Sequence, residues 1–326
     1  MHKHAHRNLL SISQLTPSGL SYLLTLAREL RWRDADSHAL SGKTVVLIFE
    51  KPSLRTRVTF EVAVRRLGGW PVLLGPEESC LGRRESIPDM ARNLGLWVDG
   101  IVARVYRHTS LEELASFSAV PVVNALSDYE HPCQAIADLL TLQNVWGDFR
   151  GRRLVYVGDW NNVARSLWKA SDLAGLDFRA VCPKPFAPPP EELVIWSSDL
   201  DAVKGADAIY TDVWASMGHE NELQDRVPIF TPYQVNETLL ARTGKPTLFM
   251  HCLPAHRGLE VTDAVIDSEC SLVLQQAANR LPVEMAVLIS LLENHHEAAS
   301  EESRAGLFRR SGHVDHHSLA QGKLWV

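Results

Sequence analysis

The sequence predicts an α/β chain built as two doubly wound domains, each a mainly parallel sheet flanked by helices. Three observations carry this. Apolar runs of strand length alternate with segments whose apolar residues recur at helical spacing. The alternation starts afresh after the polar stretch 147–153, which holds two glycines. The 326 residues suffice for two cores at roughly 150 residues per domain.

In chain order, Leu20, Leu23, Leu24, Ala27 and Leu30 predict an amino-terminal helix opened by Thr16 and Pro17, with the proline in the first turn. Thr44 to Phe49 is apolar throughout and predicts a buried strand, followed by a polar turn and a helix carrying Val58, Val62 and Leu67. Further strands are expected at 70–74, 100–105 and 120–126, with helices at 87–96, 111–117 and 134–145. The second half predicts strands at 154–158, 178–182, 207–210, 247–251 and 271–274, and a last packed helix at 282–292. The proline-rich stretch 183–190 reads as an exposed loop. The expected division is a domain over 1–146, completed by the helix near 282–293, a second over 147–281, and a polar, His-rich tail over 294–326.

Hydrophobic residues at 45% and charged residues at 22% exclude a chain that stays unfolded. A net charge of −6 gives no global attraction to nucleic acid or anionic lipid, so any anion must be bound locally. No run approaches the roughly 18 to 20 apolar residues of a membrane span, and the polar amino end carries no signal-peptide core. The cytoplasm is the expected compartment. Cys80, Cys133, Cys182, Cys252 and Cys270 are an odd number without CxxC spacing and read as free thiols.

Chemistry concentrates where strands end. Ser53, Leu54, Arg55, Thr56 and Arg57 lie between a strand and a helix, where free N–H groups, hydroxyls and guanidinium groups suit a phosphate; an ordinary N-cap beside a solvated basic face is the alternative. Nothing matches GxxxxGK[ST]. His131 and Gln134 open a helix, where they can address a carbonyl and an amide or simply make a His-Pro capping turn. Gly158 to Val163 occupies the place of a dinucleotide fingerprint but lacks its three glycines, and Asn161 and Asn162 suit a small polar ligand instead. Asp212 follows another strand, as a carboxylate for a cationic group or as a turn former. Cys252, beside His251, can be a nucleophile, a proton acceptor, a ligand contact or a buried thiol without a role.

In order, Phe49 to Arg57, Gly82 to Ser86, His131 to Gln134, Gly158 to Asn162, Asp212 to Gly218, His251 to Gly258 and Asn279-Arg280 resemble the aspartate/ornithine carbamoyltransferase family, over about residues 15–292. Ser216-Met217-Gly218 and His251 to Pro254 resemble its ornithine branch. The resemblance implies an active site in the interdomain cleft, with carbamoyl phosphate bound by the first domain and L-ornithine by the second. It implies carbamoyl transfer to the ornithine δ-amine, giving citrulline and phosphate, with no metal or cofactor. Carbamoyl phosphate would be held by Ser53, Leu54 (through its backbone), Arg55, Thr56, Cys80, Arg104, His131, Gln134, Cys252, Leu253 and Arg280, and Arg57 is expected to converge on the same phosphate. Cys80 stands where many relatives carry a Gln or His that reaches a neighbouring subunit's site. Asn162, Asp212, Ser216 and Met217 would bind ornithine. Arg55, Arg104, His131 and Cys252 would be catalytic, Cys252 helping to take a proton from the amine. A homotrimer or a multiple of one is implied. Transfer to putrescine or an N-acylated ornithine, and a non-catalytic ligand-binding relative, are the competing readings.

Overall fold

The structure is a computed structural model that describes residues 8–32, 38–79, 81–82, 84–215 and 220–293. The expected tail over 294–326 lies outside the described residues, as do Cys80, Ser216 and Met217.

The first half runs α1 (Pro17–Trp32), β1 (Thr44–Phe49), α2 (Arg55–Arg66), β2 (Trp70–Leu74), α3 (Pro76–Ser79), α4 (Ile87–Trp97), β3 (Gly100–Arg104), α5 (His108–Phe117), β4 (Val122–Leu126) and α6 (Pro132–Trp146). Its four strands pair in parallel in the order β2-β1-β3-β4. The second half runs β5 (Arg153–Val157), α7 (Asn162–Ala174), β6 (Asp177–Val181), β7 (Trp196–Ser197), β8 (Ala208–Thr211), α8 (Leu223–Phe230), α9 (Glu237–Arg242), β9 (Leu248–His251), α10 (Asp263–Ile266) and α11 (Val273–Leu292). Its sheet is also parallel, ordered β7-β6-β5-β8-β9. The predicted fold class is the one observed.

The alternation of side chains along a strand explains the layers. In β1, Val45, Leu47 and Phe49 join one core while Val46 and Ile48 join another beneath α4 and α5. In β5, Leu154 and Tyr156 join the same core as Val45, while Val155 and Val157 face a third with Val235, Leu239 and Val265. One apolar core therefore runs between the two sheets, filled by α1, α6 and α11, and each sheet is covered on its outer face by its own cluster.

Several elements differ from the sequence reading. Residues 271–274 are not a strand: Ser271 makes a single bridge to Phe249 and α11 begins at Val273, nine residues before the expected start at Pro282. The two-residue strand β7 is too short to leave a periodic signal, and the strand expected from residue 120 begins at Val122. Within 183–190, Lys184–Phe186 forms a 3-10 turn, and Phe186 packs on Phe230 with ring centroids 4.7 Å apart. Among the described residues, no helix is long and apolar enough to cross a membrane, and Cys133, Cys182, Cys252 and Cys270 are free thiols.

Candidate active site

In parallel sheets the strand carboxyl ends share one edge, so the loops following β1, β3, β4, β5, β8 and β9 gather on one side of each sheet. A cavity of about 710 Å³ opens there between the two halves. Of the described residues that the resemblance assigns a role, all but Arg57 line it: Ser53, Leu54, Arg55, Thr56, Arg104, His131, Gln134, Asn162, Asp212, Cys252, Leu253 and Arg280. Arg57 does not line it and is exposed. Two residues beyond Arg55 on an α-helix is about 200° around the axis, so the two arginines diverge instead of converging.

One wall is basic. The N-cap position of α2 is Leu54, in helical conformation and without a side-chain cap, so no side chain closes off the first N–H groups of α2 and the Ser53 N-cap alternative falls away. Thr56 Oγ1 accepts from Arg280 Nη2 at 3.2 Å and from Arg104 Nη1 at 3.4 Å. Burial, then the neighbouring Arg280 and Arg55, pushes the Arg104 guanidinium down to about 10. Burial also lowers Arg55. Burial works against Arg280 as well, but Glu284 outweighs it: Arg280 Nε and Nη2 donate to Glu284 Oε1 at 3.1 and 2.7 Å, and its pKa is held up. Three guanidinium groups around an uncapped helix N-terminus form a wall that a phosphate dianion would relieve.

On the floor between the walls, His131 is the N-cap residue of α6, and its backbone N–H donates to Ser166 Oγ at 2.8 Å. Its Nδ1 is buried without a partner. Burial, and then Arg280 and Arg104, lowers its pKa far below the usual histidine range, so the ring is neutral. Gln134 Oε1 accepts from Arg280 Nη1 at 2.8 Å.

The opposite wall is acidic. Cys252 Sγ donates to Asp212 Oδ1 at 3.0 Å, and Asp212 Oδ2 accepts from Asn161 Nδ2 at 2.8 Å. Burial, then Asp212, raises the Cys252 thiol well above its ordinary value, so it is a donor here, not a thiolate. Leu253 holds φ at +58°, a left-handed backbone that costs a branched residue about 1–2 kcal/mol, and its N–H donates to His251 Nδ1 at 2.8 Å. Asp212, His251 and Cys252 bring potential metal-ligand atoms within 4.8 Å of one another. They engage one another and their neighbours instead, with His251 Nε2 lying 3.3 Å from Glu260 Oε1.

Asn161, which the sequence offered for a small polar ligand, instead caps α7 through bonds from Val163 and Ala164 N–H and holds Asp212, and sequence reasoning missed another lining residue. Arg226, on α8, donates to Asp159 Oδ2 and to the Trp214 carbonyl, each at 2.8 Å, and no local pattern announces it.

The model of the aspartate/ornithine carbamoyltransferase carbamoyl-P binding domain matches residues 7–144, and that of the Asp/Orn binding domain matches residues 150–291. The chain belongs to the aspartate/ornithine carbamoyltransferase family. Within it, the chain is 48% identical over 299 residues to an ornithine carbamoyltransferase from Shewanella oneidensis, covering 87% of this chain and 99% of that protein. It is 45% identical over 304 residues to one from Pyrococcus abyssi, covering 88% and 96%. Among solved structures, the ornithine carbamoyltransferase from Thermus thermophilus superposes with a TM-score of 0.82 at 44% identity, over 88% of this chain and 99% of that one. The enzyme from Pyrococcus furiosus gives 0.84 at 44%, over 90% and 99%.

Proposed function

We propose that this chain is an ornithine carbamoyltransferase, transferring the carbamoyl group of carbamoyl phosphate to the δ-amine of L-ornithine to give L-citrulline and phosphate. The observation that carries the reading is one cavity with Arg55, Arg104 and Arg280 on one wall and the Cys252–Asp212 pair on the other. The phosphate belongs against the arginines and the α2 N-terminus, with Ser53, the Leu54 backbone and Thr56 completing the cradle.

Carbamoyl phosphate is already activated, so the neutral δ-amine attacks its carbonyl carbon directly; the bond from that carbon to the phosphate oxygen breaks and the phosphate leaves with its electron pair. The neutral His131 can donate one N–H to the carbonyl oxygen as negative charge builds there, and a single such donor is worth about 3 kcal/mol. Gln134 Oε1 has a second lone pair for the carbamoyl NH2. The amine proton leaves on the acidic side. The Cys252 thiol accepts it only as its own proton passes to Asp212, so the two side chains act as a pair. Asn162, Asp212, Ser216 and Met217 bind the amino-acid end of ornithine in this reading, and Leu253 contacts the reacting groups.

The reading carries a cytoplasmic homotrimer. Support for a second copy as neighbour comes from the edge strand β2, where Trp70 and Val72 are exposed on the sheet face away from α2, and from Leu54 at the α2 N-cap, which is 75% exposed and also lines the cavity. Formation of citrulline from carbamoyl phosphate and ornithine, assayed beside putrescine and aspartate, is the test. Product with ornithine alone is expected, and product with putrescine or aspartate instead overturns the substrate assignment.

A further inference from the structure

Asp138 lies on α6 one turn beyond Gln134, fully buried and outside the lining of the cavity. Its Oδ1 accepts from Gln134 Nε2 at 2.9 Å and from Gln276 Nε2 at 2.8 Å, and its Oδ2 accepts from the Tyr210 hydroxyl at 3.0 Å. The three donors come from α6, α11 and β8, and each leads back to the site. Gln134 is held at its other end by Arg280, so its carboxamide is pinned with oxygen and nitrogen distinguished. Gln276 Oε1 accepts from the His251 backbone N–H at 3.0 Å, and His251 Nδ1 accepts from the N–H of Leu253, the residue with positive φ. Tyr210 stands two residues before Asp212, the acceptor of the Cys252 thiol.

We propose that Asp138 is a positioning residue for carbamoyl transfer, its carboxylate orienting Gln134 on the carbamoyl side and, through Gln276 and His251, the backbone of Leu253 on the amine side. The inference rests on the carbamoyl-transfer reading. Three converging donors require a group that only accepts; a carboxylate has the lone pairs for all three, whereas a carboxamide in its place turns an N–H toward one of them. The protein keeps this carboxyl at a cost, for burial pushes it up to about 6 even though all three bonds favour its charge. Arg280 is the cation that favours its charge, and Glu284 lies beyond Arg280.

The test is a mutant cycle on the full chain: Asp138→Asn, Gln134→Ala and the double variant, with kcat, KM for both substrates and inhibition by inorganic phosphate. Asp138→Asn is expected to lower kcat about tenfold while phosphate inhibition stays within about threefold, because Arg55, Arg104 and Thr56 make no contact with Asp138. On the Gln134→Ala background the same change should cost only about threefold, the share carried through Gln276, a partial loss that a general loss of stability would not produce. An unchanged kcat in Asp138→Asn, or a tenfold loss repeated in full on the Gln134→Ala background, overturns the proposal. Gln276→Leu breaks one link and leaves the carboxylate in place; it should lower kcat about threefold or more, and an unchanged kcat overturns the amine-side half, whatever the folding of Asp138→Asn. A wild-type protein that makes no citrulline overturns the carbamoyl-transfer reading instead.

Discussion

Arg55 and Cys252 mark the two ends of the reaction, and their environments separate their roles. Arg55 sits at the first turn of α2, lowered by burial and facing Arg280, so its removal takes charge from the phosphate cradle itself. Arg55→Ala is expected to weaken phosphate inhibition and lower kcat/KM together, by about a hundredfold or more, as the loss of a charge-assisted contact in a buried site implies; unaltered kinetics contradict the assignment. Cys252 bonds to Asp212, and its own role is at the amine end. Cys252→Ala should therefore lower kcat with ornithine by at least about tenfold while carbamoyl phosphate affinity stays within about threefold, and a variant that loses only that affinity contradicts the role. The residues legible in the sequence are those in short motifs at strand ends, such as Ser53 to Thr56 and His131 to Gln134, because parallel topology brings such ends to one edge. Asp138 and Arg226 were not legible. A mid-helix acid and an arginine 67 residues from its partner Asp159 look ordinary until the chain brings their partners close.

At the scale of the element, α11 shows why local pattern falls short. Pro282 removes a helical N–H and clashes with the preceding turn, at about 3 kcal/mol in an isolated helix, so the sequence reading begins the helix there. The structure carries the helix through Pro282, with α1, α2 and α6 packed along it and Val283, Ala286, Val287 and Leu288 buried. Tertiary burial outweighs the local penalty. The same helix turns Gln276, Arg280 and Glu284, spaced by four, onto one face toward the site. Apolar periodicity cannot reveal a polar stripe inside a buried helix. Glu284 on that stripe is pushed up to about 7, by burial first, with Arg280 and Thr59 opposing. A carboxyl raised above its unfolded value lends stability that is fully present below the unfolded pKa and is lost as pH rises through the folded one. Below about pH 7 the Glu284 carboxyl is mostly protonated and Glu284→Gln mimics that neutral form, so the Tm of the variant relative to wild type should rise between about pH 5 and 8, as wild type alone takes on the cost of ionising; a relative Tm that falls over that range excludes the raised carboxyl.

At the scale of the molecule, the two halves are tied together around the cavity. The Asn162 carboxamide donates to the Ser127 carbonyl at 2.6 Å, Lys169 pairs with the buried Glu130 at 2.6 Å, and the Tyr210 hydroxyl reaches Asp138. Glu130 also accepts from Ser11 Oγ and the Ile12 N–H, so the start of the described chain is part of the same joint. The halves are thus well satisfied against each other, whereas β2 is not: it is an edge strand whose Trp70 and Val72, two residues apart and on one face, are 68% and 43% exposed. Trp70 and Val72 lie on the same sheet face as Val46 and Ile48, the face covered by α4 and α5, and make an exposed apolar edge of the kind that a neighbouring subunit covers. On the proposed homotrimer, sedimentation is expected to give three times the 36.4 kDa chain mass or a multiple of that. Trp70→Glu combined with Val72→Glu places charge in the contact and should shift the protein to monomer, with Tm of the monomer and its far-ultraviolet circular dichroism reporting that the fold survives. A wild-type monomer that makes citrulline at full rate contradicts the trimer, and a double variant that stays trimeric moves the contact to another face.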